Sequence, residues 1–503
     1  MIVRPIAVAT VTAFSLALSG CGGGGSSSST PPTLRPTPLP SSNPPAPPPG
    51  GSTQSSAACP TSASASSVAT SSVRTATRFV SRSPAAQRFV PGMIVYTDAS
   101  GAMHVERTDP ARVQSEMSRL RLSGNVRHVQ QAQYRRLMAV TPNDPYYRGF
   151  GPGAPYNQSS TEPGQWDMHV INLGTAWASI QKGAPIAVID TGVDVNHPEL
   201  RGRIAYARCY VTYPTSSPQT SGPYVTDLDG HGTNVAGIAD AATNNAFGFA
   251  GTAFAAPLLA FRVFPSPPSA GCPPSSTNAQ CDTTDVDEVS AINDAVAHGA
   301  RVINLSVGAA GPLSNCKDTI EENAVENAIA HGVVVVAAAG NESANHLDCP
   351  AAYPGVIAVG ASALEGSANS VTEGVAAYSN YAGSAGPGGG GAYLVAPGGD
   401  PSGNTDDNNL HWIENIYSST AVSPGSCGTD AAGQAGDCRI LIAGTSQATP
   451  HVAGVVSLML GLRPGLTPAQ VAADLCGSAT NIGNRKQGCG RLNAAGAVAR
   501  AAQ

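Results

Sequence analysis

Short continuous runs of apolar residues alternate with longer mixed segments through the middle of the chain. Runs of this kind at 186–189 and 333–339 are typical of buried parallel strands, which are apolar on both faces, and 302–305 is a similar short run interrupted by Asn304. The segments at 284–299 and 319–331 have the length and the apolar spacing of helices. Strands that alternate with helices predict an α/β fold, in which a predominantly parallel central sheet carries helices on both faces.

The segment 444–460 combines a serine near its start with a long apolar stretch. After its first residues it is apolar on every face, which predicts a buried central helix. Small residues flank Ser446, and Pro450 is expected in the first helical turn, where a missing N–H group is tolerated. Ser446 would then lie at the positive end of the helix dipole, where backbone N–H groups can stabilise an oxyanion. Taken alone, a serine that caps a core helix is the simpler interpretation.

Two other stretches favour a catalytic interpretation. Asp190 follows the apolar run at 186–189 and precedes a glycine turn, so a rigid strand would hold its carboxylate at the carboxyl edge of the sheet. His231 stands between Gly230 and Gly232, immediately before a helix of small residues. A serine, a histidine and an aspartate are the groups that together activate a hydroxyl nucleophile.

These stretches, in the order Asp, His, Ser, resemble the subtilisin-like serine peptidases over about residues 142–498. The resemblance implies that Ser446 attacks the peptide carbonyl, that His231 takes and returns the proton, and that Asp190 orients His231. It also implies an oxyanion hole made by the Asn341 side chain and the Ser446 backbone N–H. We therefore expect a serine endopeptidase that works through an acyl-enzyme intermediate.

The resemblance further implies a cleft for an extended peptide, which would pair with the enzyme backbone as an added strand. The residues expected to line this cleft are Ser306, Val307, Gly308, Ala338 and Gly340. These side chains are small, so the pocket for the side chain before the cut bond should be open. Asp348 is expected near its bottom, where a carboxylate would favour Lys or Arg. The alternative is a shorter loop in which Asp348 points to solvent, as most Asp side chains do.

Residues 243–251 resemble the calcium loop of the same family, in which an Asn side chain and alternate carbonyl groups face the ion. The ligands implied for a structural Ca²⁺ are Glu199, Thr243, Asn245, Phe247 and Phe249. The chain departs from the family pattern at Glu199, where relatives usually carry Asp. An Asn-rich turn without metal is therefore the alternative, and catalysis itself is expected to need no cofactor.

The N-terminal region predicts export. Residues 1–21 contain Arg4, an apolar run at 6–18 and a Leu-Ser-Gly-Cys end that resembles a bacterial lipobox, with Cys21 as the lipidated residue. A transmembrane helix is disfavoured because the run is shorter than the roughly 20 residues of a membrane span. Residues 22–87 are rich in Gly, Ser, Pro and Ala, which predicts a linker. The enzyme is expected at the outer surface or outer membrane on this lipid anchor, or secreted after processing.

Residues 88–141 resemble a shortened inhibitory propeptide, and a simple N-terminal extension is the alternative. The pattern predicts a strand at 89–96, a helix at 110–122 and a strand at 137–140. Residues 142–503 would then form the peptidase domain. The helix should bury Val113, Met117 and Leu120 on one face.

Charge separates these two parts. Residues 1–140 hold 13 Arg and no Lys against four acids, whereas the remainder has a net charge of −15. Such an acidic surface argues against nucleic acid as a partner. Attraction between the parts would dock the propeptide on the peptidase domain as a partner, which predicts self-processing near 137–144.

The chain has eleven cysteines, and ten remain if Cys21 is lipidated, an even number that predicts disulfides in an exported protein. Short separations favour the pairs Cys272–Cys281, Cys316–Cys349, Cys427–Cys438 and Cys476–Cys489. Cys59 and Cys209 stay unassigned. A metal cluster is the competing interpretation, but the chain has no Cys-x-x-Cys spacing to support it.

Two other classes of function fit these residues less well. A binding module that kept the fold without catalysis has no need of the triad and oxyanion residues, yet all of them are present. An esterase with a nucleophile elbow would need Gly-x-Ser-x-Gly, whereas the residues around Ser446 read Gly-Thr-Ser-Gln-Ala. The sequence therefore predicts protein or peptide substrates.

Overall fold

The computed structural model describes residues 2–4, 89–133, 139–148, 164–211, 221–222, 225–265, 282–317, 319–367, 370–383, 386–402, 411–421, 427–429 and 434–503. The chain divides into two compact units, residues 10–135 and residues 1–9 with 136–503. Near the N-terminus, strand β1 (Ile2–Arg4) is described. The predicted lipobox with Cys21, the linker and the cysteines Cys59, Cys272 and Cys281 lie outside the described residues.

Within its described residues, 89–133, the smaller unit is an antiparallel sheet with one α-helix. Its strands β2 (Phe89–Asp98), β3 (Met103–Arg107) and β4 (Val126–Gln133) run in the order β3-β2-β4. The predicted helix is confirmed: a 3-10 turn at Pro110–Arg112 leads into α1 (Val113–Leu122). As predicted, Val113, Met117 and Leu120 are buried, and they pack against Ile94 of β2.

Of the strand predicted at 137–140, Leu137 and Met138 lie outside the described residues, while Ala139 and Val140 lie in no strand. Strand β2 pairs with β3 and with β4, and β4 ends before these residues. This strand reads Val-Arg-His-Val-Gln-Gln-Ala-Gln and is mostly half-buried or exposed. Its polar composition hides it from an apolar-pattern analysis, because strands at a solvated sheet face need few apolar residues.

The larger unit contains helices and strands in alternation. Its described helices are α2 (Pro145–Arg148), α3 (Trp166–Val170), α4 (Leu173–Trp177), α5 (His231–Asp240), α6 (Asp285–Ala297), α7 (Ile320–Ala330), α8 (Thr445–Leu462), α9 (Pro468–Ser478) and α10 (Ala494–Ala501). Its described strands are β5 (Ile186–Asp190), β6 (Ile204–Tyr210), β7 (Ser221–Gly222), β8 (Leu258–Arg262), β9 (Val302–Leu305), β10 (Val334–Ala338), β11 (Ile357–Ser367), β12 (Ser370–Val375), β13 (Ala392–Pro397), β14 (Ile413–Ile416), β15 (Gly428–Thr429), β16 (Ala435–Asp437) and β17 (Arg439–Ala443).

The main sheet confirms the predicted α/β fold. Its order is β12-β11-β10-β9-β5-β8-β6-β7, with β13 also paired to β11. The central strands are parallel, while β7 and β12 pair antiparallel at the two edges. A second, antiparallel sheet has the order β1-β17-β14. The carboxyl ends of the parallel strands therefore meet along one edge, where such sheets place their ligand sites.

Strand β5 shows why the central strands are mostly apolar. Ile186 and Val188 belong to the core cluster on one face of the sheet, whereas Ala187 and Ile189 belong to the cluster on the other. Successive side chains of a strand point to opposite faces, so a strand covered by helices on both sides has no solvent-facing position. An apolar strand of this kind is therefore stable only in the centre of the sheet, between two layers of helices.

Helix α8 is the buried central helix that the sequence predicts, with residues 445–460 all buried. The expected place of Pro450 is wrong, since α8 begins at Thr445 and Pro450 is its sixth residue. A proline there cannot donate to the carbonyl group of Ser446, four residues earlier. That carbonyl accepts instead from the Ser306 hydroxyl at 2.8 Å. Because Pro450 leaves this carbonyl without a helical donor, the start of α8 can bond to Ser306, the residue that follows β9.

Three of the four predicted disulfides are confirmed, and they are Cys316–Cys349, Cys427–Cys438 and Cys476–Cys489. In the described ranges, none of the helices combines the length and the apolar composition that a membrane crossing requires.

Candidate active site

Three elements deliver the predicted catalytic residues to the carboxyl edge of the sheet. Asp190 is the last residue of β5, His231 is the first residue of α5, and Ser446 is the second residue of α8. Asp190 is fully buried, while His231 and Ser446 are each 8% exposed. Two partly accessible groups are therefore backed by a buried carboxylate.

Asp190 and His231 are in direct contact. The Nδ1 atom of His231 lies 2.7 Å from Oδ1 of Asp190, which also accepts the backbone N–H of Thr191 at 2.7 Å. This approach depends on Gly232, because a Cβ at that position would collide with the carbonyl oxygen of Gly192. The glycine after the histidine thus lets α5 start close against the end of β5.

Two further carboxylates, which the sequence analysis missed, act on the imidazole. Burial works to lower the pKa of His231, but the charges of Asp190, Asp229 and Asp227 outweigh it and raise that pKa to about 9. Asp227 is fully buried and accepts the backbone N–H of Gly230 at 2.7 Å. The Asp-x-Asp pattern before the Gly-His pair is the sequence signal that could have found them.

Ser446 and Ser306 are joined by reciprocal hydrogen bonds. The Ser446 hydroxyl donates to the Ser306 carbonyl at 2.9 Å, and the Ser306 hydroxyl donates to the Ser446 carbonyl at 2.8 Å. Asn304 in turn donates to the Ser306 hydroxyl at 3.0 Å. In this rotamer the bond of the Ser446 hydroxyl is to Ser306 and not to His231. The contact between nucleophile and base is commonly unformed in substrate-free enzymes.

Asn341, the predicted oxyanion residue, lies beside the start of α8. Its side-chain oxygen accepts from the backbone N–H and from the hydroxyl of Thr445, each at 3.0 Å. These two bonds hold the oxygen end of the amide, so the nitrogen end is directed away from Thr445. Sequence reasoning missed Thr445, which precedes Ser446 and fixes the orientation of Asn341.

The predicted cleft residues occupy the ends of β9 and β10. Ser306 is buried, Val307 is half-buried and Gly308 is exposed. The backbone of Ala309, just beyond, pairs antiparallel with Cys349 through bonds of 2.9 and 3.3 Å. On β10, Ala338 is buried, whereas Gly340, beyond the end of that strand, is half-buried. The backbone of 307–308 is therefore the accessible part of this set.

Asp348 does not point to solvent, so that alternative is wrong. It is 5% exposed, and its Oδ1 accepts from the Gly311 backbone at 3.0 Å and from the Asn380 side chain at 3.2 Å. A Cβ on Gly340 would collide with its Oδ2 atom, which places the carboxylate directly beside the predicted pocket wall. Burial, together with the neighbouring Glu342, raises the pKa of Asp348 to about 7.

The predicted calcium residues lie together around one turn. Oε1 of Glu199 accepts from the Phe249 backbone at 2.7 Å, and Oε2 accepts from the Asn245 side chain at 3.0 Å. The oxygen of Asn245 accepts from the Phe247 backbone at 3.0 Å. The Thr243 hydroxyl accepts from the backbone of residue 251 at 2.9 Å. The turn at 243–251 is therefore held together by hydrogen bonds among its own residues and Glu199.

A second carboxylate, Asp144, also reaches this turn and was missed by the sequence analysis. It accepts the backbone N–H groups of Asn244 at 2.7 Å and Asn245 at 3.0 Å. Burial, with Asp144 and Asp437 as negative neighbours, raises the pKa of Glu199 to about 9. Two buried carboxylates and an amide are a hard-oxygen donor set that fits calcium. In the described part of the chain, no group of three or more His, Cys, Asp or Glu side chains is arranged to hold a metal ion, so carbonyl oxygens must complete such a site.

A parallel sheet with a His–Asp pair at its carboxyl edge and a serine at a helix start is the arrangement of a hydrolase that uses a serine nucleophile. Residues 181–495 match the Subtilase family, and the chain belongs to that family. It is a subtilisin-like serine endopeptidase.

Known proteins support this assignment over most of the chain. The thermophilic serine proteinase of Bacillus sp. (strain AK1) is 33% identical over 365 residues, which are 70% of each chain. Thermitase of Thermoactinomyces vulgaris is 30% identical over 360 residues, 71% of this chain and 97% of the relative. A solved protease structure from Pseudoalteromonas arctica PAMC 21717 superposes with a TM-score of 0.55 and 27% identity. It covers 72% of this chain and 99% of the other.

Proposed function

We propose that Ser446, His231 and Asp190 form the catalytic triad of this endopeptidase. The observation that carries the proposal is the 2.7 Å contact between His231 Nδ1 and Asp190 Oδ1 at the sheet edge where α8 presents Ser446. A proton on Nδ1 directed at the carboxylate leaves Nε2 as the acceptor. His231 is then in the tautomer that a general base requires.

Attack begins when the Ser446 hydroxyl exchanges its bond to Ser306 for one to Nε2 of His231. The serine oxygen bonds to the peptide carbonyl carbon while its proton passes to His231. His231 then gives that proton to the leaving amine, and the carbon–nitrogen bond breaks to leave an acyl-enzyme. Water, deprotonated by the same imidazole, hydrolyses the ester and restores Ser446.

The negative oxygen that forms in each step is assigned to Asn341 and to the Ser446 backbone N–H. Both groups are next to the start of α8, where unpaired N–H groups and the helix dipole favour negative charge. The bonds from Thr445 to the Asn341 oxygen support this role because they fix which end of the amide is available as a donor. Loss of one such donor costs about 10²- to 10³-fold in kcat.

The proposed substrates are extended segments of proteins with a basic residue before the cut bond. The accessible backbone at 307–308 can pair with such a segment as an added strand. Asp348 lies beside Gly340 with its carboxylate enclosed, 3.6 Å from Nε2 of His346, and a substrate Lys or Arg side chain would supply a permanently charged partner. Burial of the Asp348 carboxylate makes this pairing stronger than one in open solvent.

Calcium is proposed as a structural ion held by Asp144, Glu199, Asn245 and the carbonyl groups of Thr243, Phe247 and Phe249. Its positive charge would stabilise the ionised form of Glu199, whose pKa burial otherwise raises. It stabilises the folded state by binding and takes no part in the hydrolytic steps.

Export and maturation complete the proposal. Residues 1–21 would direct export with lipidation at Cys21, residues 22–87 would serve as a linker, and residues 88–141 would act as a propeptide. The enzyme at 142–503 would be released from the lipid anchor when it cuts between about 137 and 144. The compact sheet and helix of the first unit support a folded propeptide.

The test compares Ser446→Ala with Ser457→Ala, a buried serine of the same helix that donates to the Ala184 carbonyl. Ser446→Ala should fold, hydrolyse no casein and take no label from a serine-directed phosphonate, while Ser457→Ala keeps both activities. Mass spectrometry of the exported proteins should find a new N-terminus near 137–144 in all but Ser446→Ala. Labelling of the Ser446→Ala variant would refute the assignment of Ser446 as the nucleophile. An active enzyme whose N-terminus is Cys21 would refute self-processing.

A further inference from the structure

Asn380 is a fully buried residue in the segment after β12, and its contacts converge on the turn that carries Asn341. Its backbone N–H donates to the Gly340 carbonyl at 3.0 Å. Its side-chain oxygen accepts the backbone N–H groups of Glu342 at 3.0 Å and Ala344 at 2.8 Å. One residue therefore binds the backbone on both sides of the proposed oxyanion residue.

The other end of the Asn380 amide connects this turn to the pocket acid. Its nitrogen donates to Oε2 of Glu342 at 2.7 Å and to Oδ1 of Asp348 at 3.2 Å. Oε2 of Glu342 also accepts the backbone N–H of Asn341 at 2.8 Å. The peptide group of Asn341 is thus linked to Asn380 through a single carboxylate.

The turn needs an external clamp because its backbone conformation is unusual. Gly340 has φ of +106°, which a glycine accommodates, whereas Ser343 has φ of +60°, a value that L residues adopt at a cost. A Cβ on Gly340 would collide with the side-chain nitrogen of Asn380, so the two are in close contact. The bonds that hold the turn come from Asn380, which lies 36 to 40 residues further along the chain.

We infer that Asn380 is a positioning residue for the oxyanion hole, acting on the reaction through Asn341. The inference rests on the proposed function, in which the Asn341 amide binds the oxyanion. An oxyanion donor works only when held within about 0.5 Å of its productive place. Asn380 fixes the turn at Gly340, Glu342 and Ala344, and the Asn341 side chain projects from the middle of that clamp.

The first experiment is a double-mutant cycle with Asn341→Ala, Asn380→Ala and the double variant. Rates are normalised to folded enzyme by phosphonate titration of Ser446. Asn380→Ala should lower kcat about 10²-fold, the loss that a misplacement of about 1 Å produces. KM should change by less than about threefold, as for an interaction that acts in the transition state. When Asn341 is already alanine, adding Asn380→Ala should lower kcat by less than about threefold, because the Asn341 amide that Asn380 positions is absent.

Additive losses in the cycle would overturn the inference and assign Asn380 a purely structural role. An unchanged kcat in Asn341→Ala would instead refute the oxyanion assignment of the proposed function, so the two failures are distinguishable. Ser379→Ala is the matched control, since Ser379 is the adjacent, equally buried residue and donates to the Asn380 carbonyl. It should lower thermal stability and leave kcat within about twofold.

Asn380→Asp keeps the shape and the acceptor oxygen, which protects the measurement if Asn380→Ala fails to fold. It replaces the donor that faces Glu342 and Asp348 with a third carboxylate oxygen. Repulsion should displace the turn at neutral pH, and protonation should relieve it. The ratio of kcat in Asn380→Asp to kcat in the unchanged enzyme should therefore rise as pH falls from 8 to 6. A ratio independent of pH would contradict the inference.

Discussion

The Nδ1 atom of His231 lies 2.7 Å from Oδ1 of Asp190, and Asp229 and Asp227 add their charges to the same imidazole. The three carboxylates form an acidic environment around one base. Its pKa is raised to about 9, well above the 6.5 of a solvated histidine. This relationship sets the pH at which the enzyme can act.

We expect kcat/KM to rise with pH through the alkaline range, with an apparent pKa of about 9. In the proposed triad only the neutral imidazole can accept the Ser446 proton, so activity should grow as His231 loses its charge. Asp229→Asn removes one charge that raises this pKa and should move the rise to lower pH. Glu326→Gln, at an exposed position of α7, should leave the profile in place. A rise centred at 6.5 in the unchanged enzyme would contradict the prediction.

The sequence was sufficient to predict the central architecture. Strands β5, β9 and β10 are buried on both faces and so are apolar at all positions but two, Asp190 at the end of β5 and Asn304 in β9. Helix α8 is identifiable for the same reason, since burial on all sides leaves no polar stripe. The chemistry-bearing residues at the ends of these elements, Asp190 and Ser446, could be located because a rigid apolar element precedes or follows each.

Features that depend on contacts between distant residues were beyond the sequence. The burial of Asp348 is produced by Gly311 and Asn380, which lie more than 30 residues away on either side. Strand β4 is polar because most of its positions are half-buried or exposed. Asn380 itself carries no local signal, because an Asn in a loop is ordinarily a turn residue.

A pair of neighbouring acids, buried Glu288 on α6 and half-buried Glu321 on α7, predicts alkaline destabilisation. Burial, then the neighbouring Glu321, raises the pKa of Glu288 well above its usual value, and burial raises the pKa of Glu321. The folded state therefore holds protons that the unfolded state releases, and stability falls as pH rises above about 4.5. Glu288→Gln should reduce this loss, which is at most about 1.4 kcal/mol per pH unit for one group.

Urea unfolding at pH 5 and pH 8 tests this expectation. The difference in unfolding free energy between the two pH values should be smaller in Glu288→Gln than in the unchanged enzyme. Glu326→Gln on α7 is the control, because its side chain is exposed and its substitution should leave the difference as it is. An equal pH dependence in all three proteins would refute the buried-acid explanation.

Removal of calcium should lower thermal stability. A ligand at about 100 times its Kd stabilises the folded state by roughly 2.7 kcal/mol, so a chelator should reduce Tm by several degrees. Glu199→Gln removes one proposed ligand charge and should shrink the shift caused by the chelator. Adding calcium back should restore the Tm of the unchanged enzyme. Magnesium should not restore it, because that ion dehydrates reluctantly. A Tm unaffected by chelation would show that the turn closes without metal.

The position of Asp348 predicts a substrate preference that depends on pH. Its carboxylate lies beside Gly340 in the wall of the proposed pocket, and its pKa is raised to about 7. Below that pH the group is increasingly neutral, and above it the charge can pair with Lys or Arg of a substrate. The ratio of kcat/KM for cleavage after Arg to that after Leu should therefore increase between pH 6 and pH 8. Because His231 ionisation affects both substrates equally, it cancels in this ratio.

Asp348→Asn is the sharpest variant, since it keeps the size and the hydrogen bond from Gly311 while it removes the charge. It should lower the Arg-to-Leu ratio about tenfold at pH 8, as loss of a charge-assisted bond worth about 1.4 kcal/mol requires. It should also abolish the pH dependence of the ratio. Asp294→Asn on helix α6 serves as the acid-to-amide control. An Arg-to-Leu ratio that Asp348→Asn leaves unchanged would mean that the carboxylate only supports the loop, and that the open pocket accepts side chains irrespective of charge.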